Sequence, residues 1–321
     1  MNKEMLSLGI DTSNYKTSVA VTASDGEIIF NYQSFLKVKS GERGLRQSEA
    51  LFQHVQKLPE ALENAFETKG VRGRIGAVSV SARPRPVKGS YMPVFTAGLS
   101  AARSIAASIG VPLYEFSHQE GHIEAVKHYS SMADEKRLIC FHFSGGTTEA
   151  LLCDDDASSI EIIGGSRDLA YGQVLDRVGV SMGFDFPCGQ EVDRLALSAD
   201  RENIDKTILT RVKVKDGYVN LSGIETQCQR VLEKQERSHE NLSAALMHAL
   251  SQSVADMTLF LSEKYHINSF LYAGGVSCSS FMRNYLERNM PDYIRTAFGA
   301  PELSSDNAVG ISLLGGKKLW L

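Results

Sequence analysis

Two stretches of this chain open in the same way, and that repetition restricts the available folds more than any other feature. Met5–Ile10 reads as a strand, Thr12-Ser13-Asn14-Tyr15 as a turn and Thr17–Thr22 as a returning strand. Ser24-Asp25-Gly26 then turns the chain into a third strand over Glu27–Asn31. The order recurs with Leu138–Phe143, the glycine turn Ser144-Gly145-Gly146-Thr147, Glu149–Cys153, a turn over Asp154–Ala157 and Ile160–Ile163. The order of elements matches while residue identity is low, so the two readings are an internal duplication and a coincidence between two hairpins.

Helices alternate with these strands. One is expected from about Arg46 to Thr68, interrupted at Pro59, and another over Val94–Ile109, stopped by Gly110. Ile75–Ser81, Val111–Phe116 and Phe270–Ala273 read as strands. Leu242, Leu246, Leu250, Val254, Met257 and Leu261 form one apolar helical stripe that belongs in a core. A helix is expected after Ser279 and a further one from Asp306 through Leu314. The alternation predicts an α/β layered fold. The 321 residues allow about two domains at roughly 150 each. With 34 Lys and Arg against 38 Asp and Glu, the net charge of −4 excludes a whole-protein basic field for nucleic acid and leaves room for a local patch. Five scattered cysteines without a C-x-x-C pair argue against a disulfide framework or a thiolate zinc site. No segment approaches the roughly 18 apolar residues that span a bilayer, and Asp11 cuts short the first apolar run. A soluble, cytoplasmic protein without a membrane partner is expected.

Four patterns could carry chemistry. In His118-Gln119-Glu120-Gly121-His122 the histidines lie four apart, so both imidazoles share one helix face and can meet one metal ion. Gln119 stands where zinc proteases carry glutamate, which disfavours a peptidase; two unrelated surface histidines are the alternative. Ser144-Gly145-Gly146-Thr147 lies between two strands, where backbone N–H groups can cradle a phosphate or simply form a tight turn. Ala273-Gly274-Gly275-Val276 joins a strand to a helix, a place that suits a nucleotide. Asp176, the loop Phe186-Pro187-Cys188-Gly189 and Asp193 could reach ribose hydroxyls, although solvated helix acids are the default.

In that order, these patterns resemble the tRNA adenosine threonylcarbamoyltransferases, once called O-sialoglycoprotein endopeptidases, across nearly the whole chain. The resemblance implies the actin-like, sugar kinase and Hsp70-type ATPase fold, with two duplicated lobes around a nucleotide and metal cleft. It implies a first lobe over 1–134, a second over 135–298 with a helical insertion, and a C-terminal helix over 299–321 packing back on the first. By resemblance, Asp11-Thr12-Ser13 is the opening phosphate hairpin. His118, His122 and Asp306, within Ser305-Asp306-Asn307, are the ligands of one divalent iron or zinc ion. Asp11, Ser144, Gly145, Gly146, Asp176, Gly189, Asp193, Gly274, Gly275 and Ser279 are the implied binding positions for ATP, AMP or an acyl-adenylate. The implied reaction transfers threonylcarbamoyl from an adenylate to a tRNA adenosine beside the anticodon, with no covalent enzyme nucleophile. A heterodimer with a related actin-fold protein, or a homodimer, is the implied assembly.

The chain also departs from the family pattern. Thr147 replaces histidine, Asn14-Tyr15-Lys16 replaces an acidic or cysteine-containing stretch, Gln173 replaces glutamate, Cys188-Gly189 a double glycine and Ser279 an asparagine. Arg83–Met92, with Arg83, Arg85 and Lys88, replaces a short glycine turn and is expected to alter what reaches the metal. These changes keep two other functions open: an acyl- or carbamoyltransferase or ATPase with a non-tRNA acceptor, and a non-catalytic heterodimer partner of the same fold.

Overall fold

Alternating strands and helices build two mixed sheets of matching topology in the computed structural model. It describes residues 4–13, 15–38, 45–143, 145–154, 160–199, 204–205, 207–304 and 306–320. The described residues divide into two compact units, one from 4–38, 45–130 and 300–320, the other within 131–299.

The first unit is built on β1 (Leu6–Asp11), β2 (Lys16–Thr22), β3 (Ile28–Phe35), β4 (Ile75–Arg83) and β5 (Leu113–Ser117), in the order β3-β2-β1-β4-β5. β1 pairs antiparallel with β2 and parallel with β4. Every residue of β1 is buried, as expected for a central strand covered on both faces. The unit's helices are α1 (Gln47–Glu67), α2 (Phe95–Ile109) and α3 (His118–His128), joined later in the chain by α9 (Pro301–Ser304) and α10 (Val309–Trp320). α1 is not interrupted at Pro59, as the sequence suggests, but runs through it. Pro59 is exposed, while Ala50, His54, Leu58, Ala61 and Ala65 are buried along one stripe, and that packing outweighs the hydrogen bond a proline removes. α10 begins at Val309 rather than at Asp306, because the Asn307 side chain accepts the Val309 N–H at 3.0 Å and caps the helix there.

The second unit carries β6 (Leu138–Phe143), β7 (Thr148–Cys153), β8 (Ile160–Ser166), α4 (Tyr171–Ser181), α5 (Gly189–Ser198), β9 (Tyr218–Val219), α6 (Ser222–Lys234), α7 (His239–Tyr265), β10 (Ser269–Ala273), α8 (Ser280–Asn289) and β11 (Arg295–Phe298). Its sheet runs β11-β10-β6-β7-β8-β9. β6, β7 and β8 form an antiparallel meander, and β10 and β11 continue parallel to β6. Apart from β9, this is the order and sense of the first sheet, so the two halves share one topology. The six stripe residues of α7 are all buried, in a core with Phe141, Phe143 and Tyr272. No helix among the described residues is long and apolar enough to cross a membrane.

Candidate metal centre and glycine turns

The first unit assembles a cluster at the end of β1 and the start of α3. Ser117 caps α3: its hydroxyl accepts the Glu120 N–H at 3.2 Å, and the Glu120 carboxylate accepts the Ser117 N–H. This capping box sets His118 in the first turn, one turn before His122. The two Nε2 atoms lie 2.9 Å apart, and Asp306 Oδ1 lies 3.4 Å from His118 Nε2 and 3.5 Å from His122 Nε2. A circle through these three atoms has a radius of about 1.9 Å, just inside the roughly 2.0–2.2 Å of a metal–ligand bond. These spacings would let His118, His122 and Asp306 hold one ion together, and the donor set of two imidazoles and a carboxylate suits iron or zinc.

Asp11 completes the arrangement from behind. Its Oδ1 is 3.2 Å from His118 Nδ1, and its Oδ2 accepts the Ser13 hydroxyl at 2.8 Å. A carboxylate on Nδ1 fixes the tautomer that leaves Nε2 for a metal. The resemblance implied a phosphate or nucleotide contact for Asp11; the structure places its carboxylate on the imidazole. With Asp11 and His118 separated by 107 positions, nothing in the sequence announces that pairing. The Tyr15 N–H reaches Asp306 Oδ2 at 3.4 Å and orients the third member of the cluster.

The electrostatics follow from this crowding. Burial alone would lower the His118 pKa, but Asp11 and Asp306 outweigh it and raise it to about 10. Burial, then the charge on His118, hold His122 below its ordinary value. Desolvation opposes ionisation of Asp306, yet hydrogen bonds from both imidazoles hold its carboxyl well below the carboxylate range. The two carboxylates thus favour positive charge beside the facing nitrogens, the setting in which a cation competes with a proton. Beside it, Arg83 lies 3.7 Å from Glu120, and the Gln119 N–H donates to Pro84 O at 3.2 Å, so the basic loop is tied to the start of α3.

The second unit holds the other implied positions. Ser144 lies outside the described residues, as do Asn14 and Ser305. Gly145 and Gly146 are exposed, and a Cβ added at either, or at Gly275, would meet nothing within 4 Å. Such open space admits a ligand close to the backbone. Gly274 differs: its φ is +91°, and a Cβ there would lie 2.2 Å from Phe143 O. Parallel pairing sets Ala273 beside His142, which brings the two glycine turns to the same ends of neighbouring strands, where open α/β sheets bind ligands. His142 Nδ1 lies 3.4 Å from the Thr147 hydroxyl.

The remaining acids are engaged. Asp193 receives the Ser279 hydroxyl and the N–H groups of Ser280 and Phe281, capping α8. Asp176 accepts the Cys188 N–H at 2.8 Å, beside Gly189 at the start of α5, and burial raises its pKa. Gln173, the glutamate position of the family pattern, accepts the Ala170 N–H at 3.0 Å and caps α4.

Residues 28–313 match the family described as TsaD, tRNA N6-adenosine threonylcarbamoyltransferase. A tRNA N6-adenosine threonylcarbamoyltransferase of Geobacillus thermodenitrificans is 29% identical over all of this chain and 93% of its own length. One from Thermosipho africanus is 28% identical over 98% of this chain and 94% of its own. Among solved structures, full-length HypF in its phosphate- and nucleotide-bound form superposes with a TM-score of 0.62 at 14% identity, covering all of this chain and 56% of HypF, so the chain spans little more than half of that protein. A ROK hexokinase from Thermus thermophilus gives 0.54 at 14% identity, over 98% of this chain and 99% of its own. These likenesses show the actin-like ATPase fold.

Proposed function

Because the chain belongs to the tRNA N6-adenosine threonylcarbamoyltransferase family, we infer that it is an acyltransferase moving a threonylcarbamoyl group from its adenylate to the amine of a tRNA adenosine beside the anticodon. The observation that carries this reading is the triangle of His118, His122 and Asp306, with atoms spaced for one ion. A bound divalent iron or zinc ion supplies Lewis-acid polarisation of the acyl carbonyl. Asp11 holds His118 in the required tautomer, and Tyr15 steadies Asp306. The open faces of Gly145, Gly146 and Gly275 leave room for the nucleotide. The amine nitrogen bonds to the carbonyl carbon, the bond from that carbon to the phosphate oxygen breaks, AMP leaves with the electron pair, and the amine's surplus proton passes to water. A tRNA acceptor puts this chemistry in the cytoplasm.

A second reading, transfer to another acceptor or ATP hydrolysis, is favoured by the hairpin at Lys16. The family pattern is acidic or cysteine-containing there, whereas Lys16 is buried, with its ammonium 3.0 Å from Gln33 Oε1 and 4.6 Å from the Phe35 ring. The test is incubation with ATP, threonine, bicarbonate and tRNA plus an enzyme that makes the adenylate, followed by mass spectrometry of nucleosides and small molecules. Threonylcarbamoylated adenosine is the expected product. Consumed adenylate with unmodified tRNA would select the second reading, and metal-free protein with no turnover a non-catalytic partner.

A further inference from the structure

We propose that the groove between α5, α7 and α8 of the second unit is a binding site for a small amphipathic monoanion, a carboxylate carried on a ring or a short acyl chain. None of the residues implied for the nucleotide or the metal lines this groove. It holds about 500 Å³, within the range of small-molecule sites. Two helical stripes of matching spacing build it. α7 presents Ala245, His248, Ala249 and Gln252. α8 presents Phe281, Asn284, Tyr285 and Arg288. Each set falls at i, i+3, i+4 and i+7, which is one face of a helix. Ala245 and Ala249 lie one turn apart and buried, and their methyl groups leave open the space that larger side chains would fill between packed helices. Leu197 of α5, Leu209 and Phe281 supply apolar walls. The His248 and Tyr285 rings meet edge to face at 5.3 Å and tie the two stripes together.

Charge decides the class of ligand. Two guanidiniums, Arg211 and Arg288, line the groove, and no carboxylate does so among the described residues. Arg211 is matched by Asp256 from outside the wall: its Nη2 lies 2.8 and 2.7 Å from the two carboxylate oxygens, and its Nε 3.1 Å from one of them. Arg288, in the last turn of α8, has no hydrogen-bond or ion-pair partner among the described residues. One positive charge is therefore unmatched, and a guanidinium fork takes a planar carboxylate through two parallel bonds. The side-chain amides of Gln252 and Asn284 are likewise unpaired among the described residues, and each can donate to the same anion. Phe281 lies two turns before Arg288, about 10 Å along the helix, so an anion held at Arg288 has room to lay its apolar body toward the walls.

The experiment is ligand-observed NMR titration of the full chain with phenylbutyrate and with its neutral amide. Phenylbutyrate should bind saturably, and the amide about tenfold more weakly for want of the charge-assisted bonds. Arg288→Gln should bring the acid down to the level of the amide and leave the amide unchanged. Ala249→Leu should remove both by filling the floor. Arg103→Gln makes the same change of charge on an exposed face of the first unit and should leave both ligands unaffected. A wild-type chain that does not saturate, equal affinity for acid and amide, unchanged acid binding in Arg288→Gln, or an equal loss in Arg103→Gln would overturn the proposal. If Ala249→Leu does not fold, the acid and amide affinities of Arg288→Gln decide alone.

Discussion

Gly310 sits where α10 crosses α3, and replacing it with alanine should empty the metal centre without touching a ligand. A Cβ at 310 would lie 1.9 Å from Gly121 O and 2.8 Å from Ala125 N. A carbon and a carbonyl oxygen settle at about 3.3 Å, so the two helices must separate by about 1.4 Å locally. Gly121 lies between His118 and His122, and Asp306 lies just before α10. The separation therefore falls on the 3.4 and 3.5 Å edges of the ligand triangle and carries one ligand out of bonding range. Metal affinity should fall by more than roughly 100-fold, beyond the 10–100-fold typical of losing an outer-shell partner. Overpacking should cost roughly 1–3 kcal/mol, partly offset by about 1 kcal/mol of helix propensity. The assay is metal content at buffered free metal, with thermal melts alongside. Gly223→Ala, at a position where a Cβ meets nothing, is the control that should keep both. A Gly310→Ala protein with full metal and an unchanged melt would refute the reasoning.

Asp11→Asn should weaken metal binding roughly 10–100-fold by loosening the His118 tautomer, read by chelator competition. Gly275→Val should weaken AMP binding in calorimetry with the melt unchanged, whereas Gly274→Ala should lower the melt first, because its backbone is left-handed and abuts Phe143. Arg83→Ala with Arg85→Ala should weaken acceptor binding and flatten its salt dependence while metal content stays the same; an identical salt slope would remove the loop from the mechanism. Burial lowers the pKa of His54, so below its ordinary value near 6.5 the unfolded chain takes up a proton the folded chain refuses. Stability should therefore be full above that pH and fall as the pH drops below it, with a shallower fall in His54→Gln by pH-dependent denaturation.

The repeated hairpins and the α7 stripe were legible because their periodicities are local: alternation and turn residues within twenty positions specify a meander, and 3.6-residue spacing specifies a buried helix. The histidine pair was legible for the same reason, since four residues always share a helix face. The uses of the acids were not. Asp193 and Asp176 were open to two readings, ribose contacts or solvated helix acids, and neither foretells the backbone N–H groups at helix starts that they accept, which only tertiary packing brings near. Pro59 read as a break because sequence carries the cost of proline but not the burial of Leu58 and Ala61 that outweighs it.

The split composition of the first unit has a consequence for how the protein is made. His122 is polymerised 184 residues before Asp306, and the contiguous second unit is made in the interval. During that time β1 lacks its cover, for Gly9 packs against Ala308 and Ser312. Two imidazoles stand ready beside Asp11 with no carboxylate to complete the set. If the cluster takes up a metal, firm capture must wait until α10 docks: a nascent or truncated product ending before Asp306 would carry the histidine motif intact and still lack the carboxylate that completes the set.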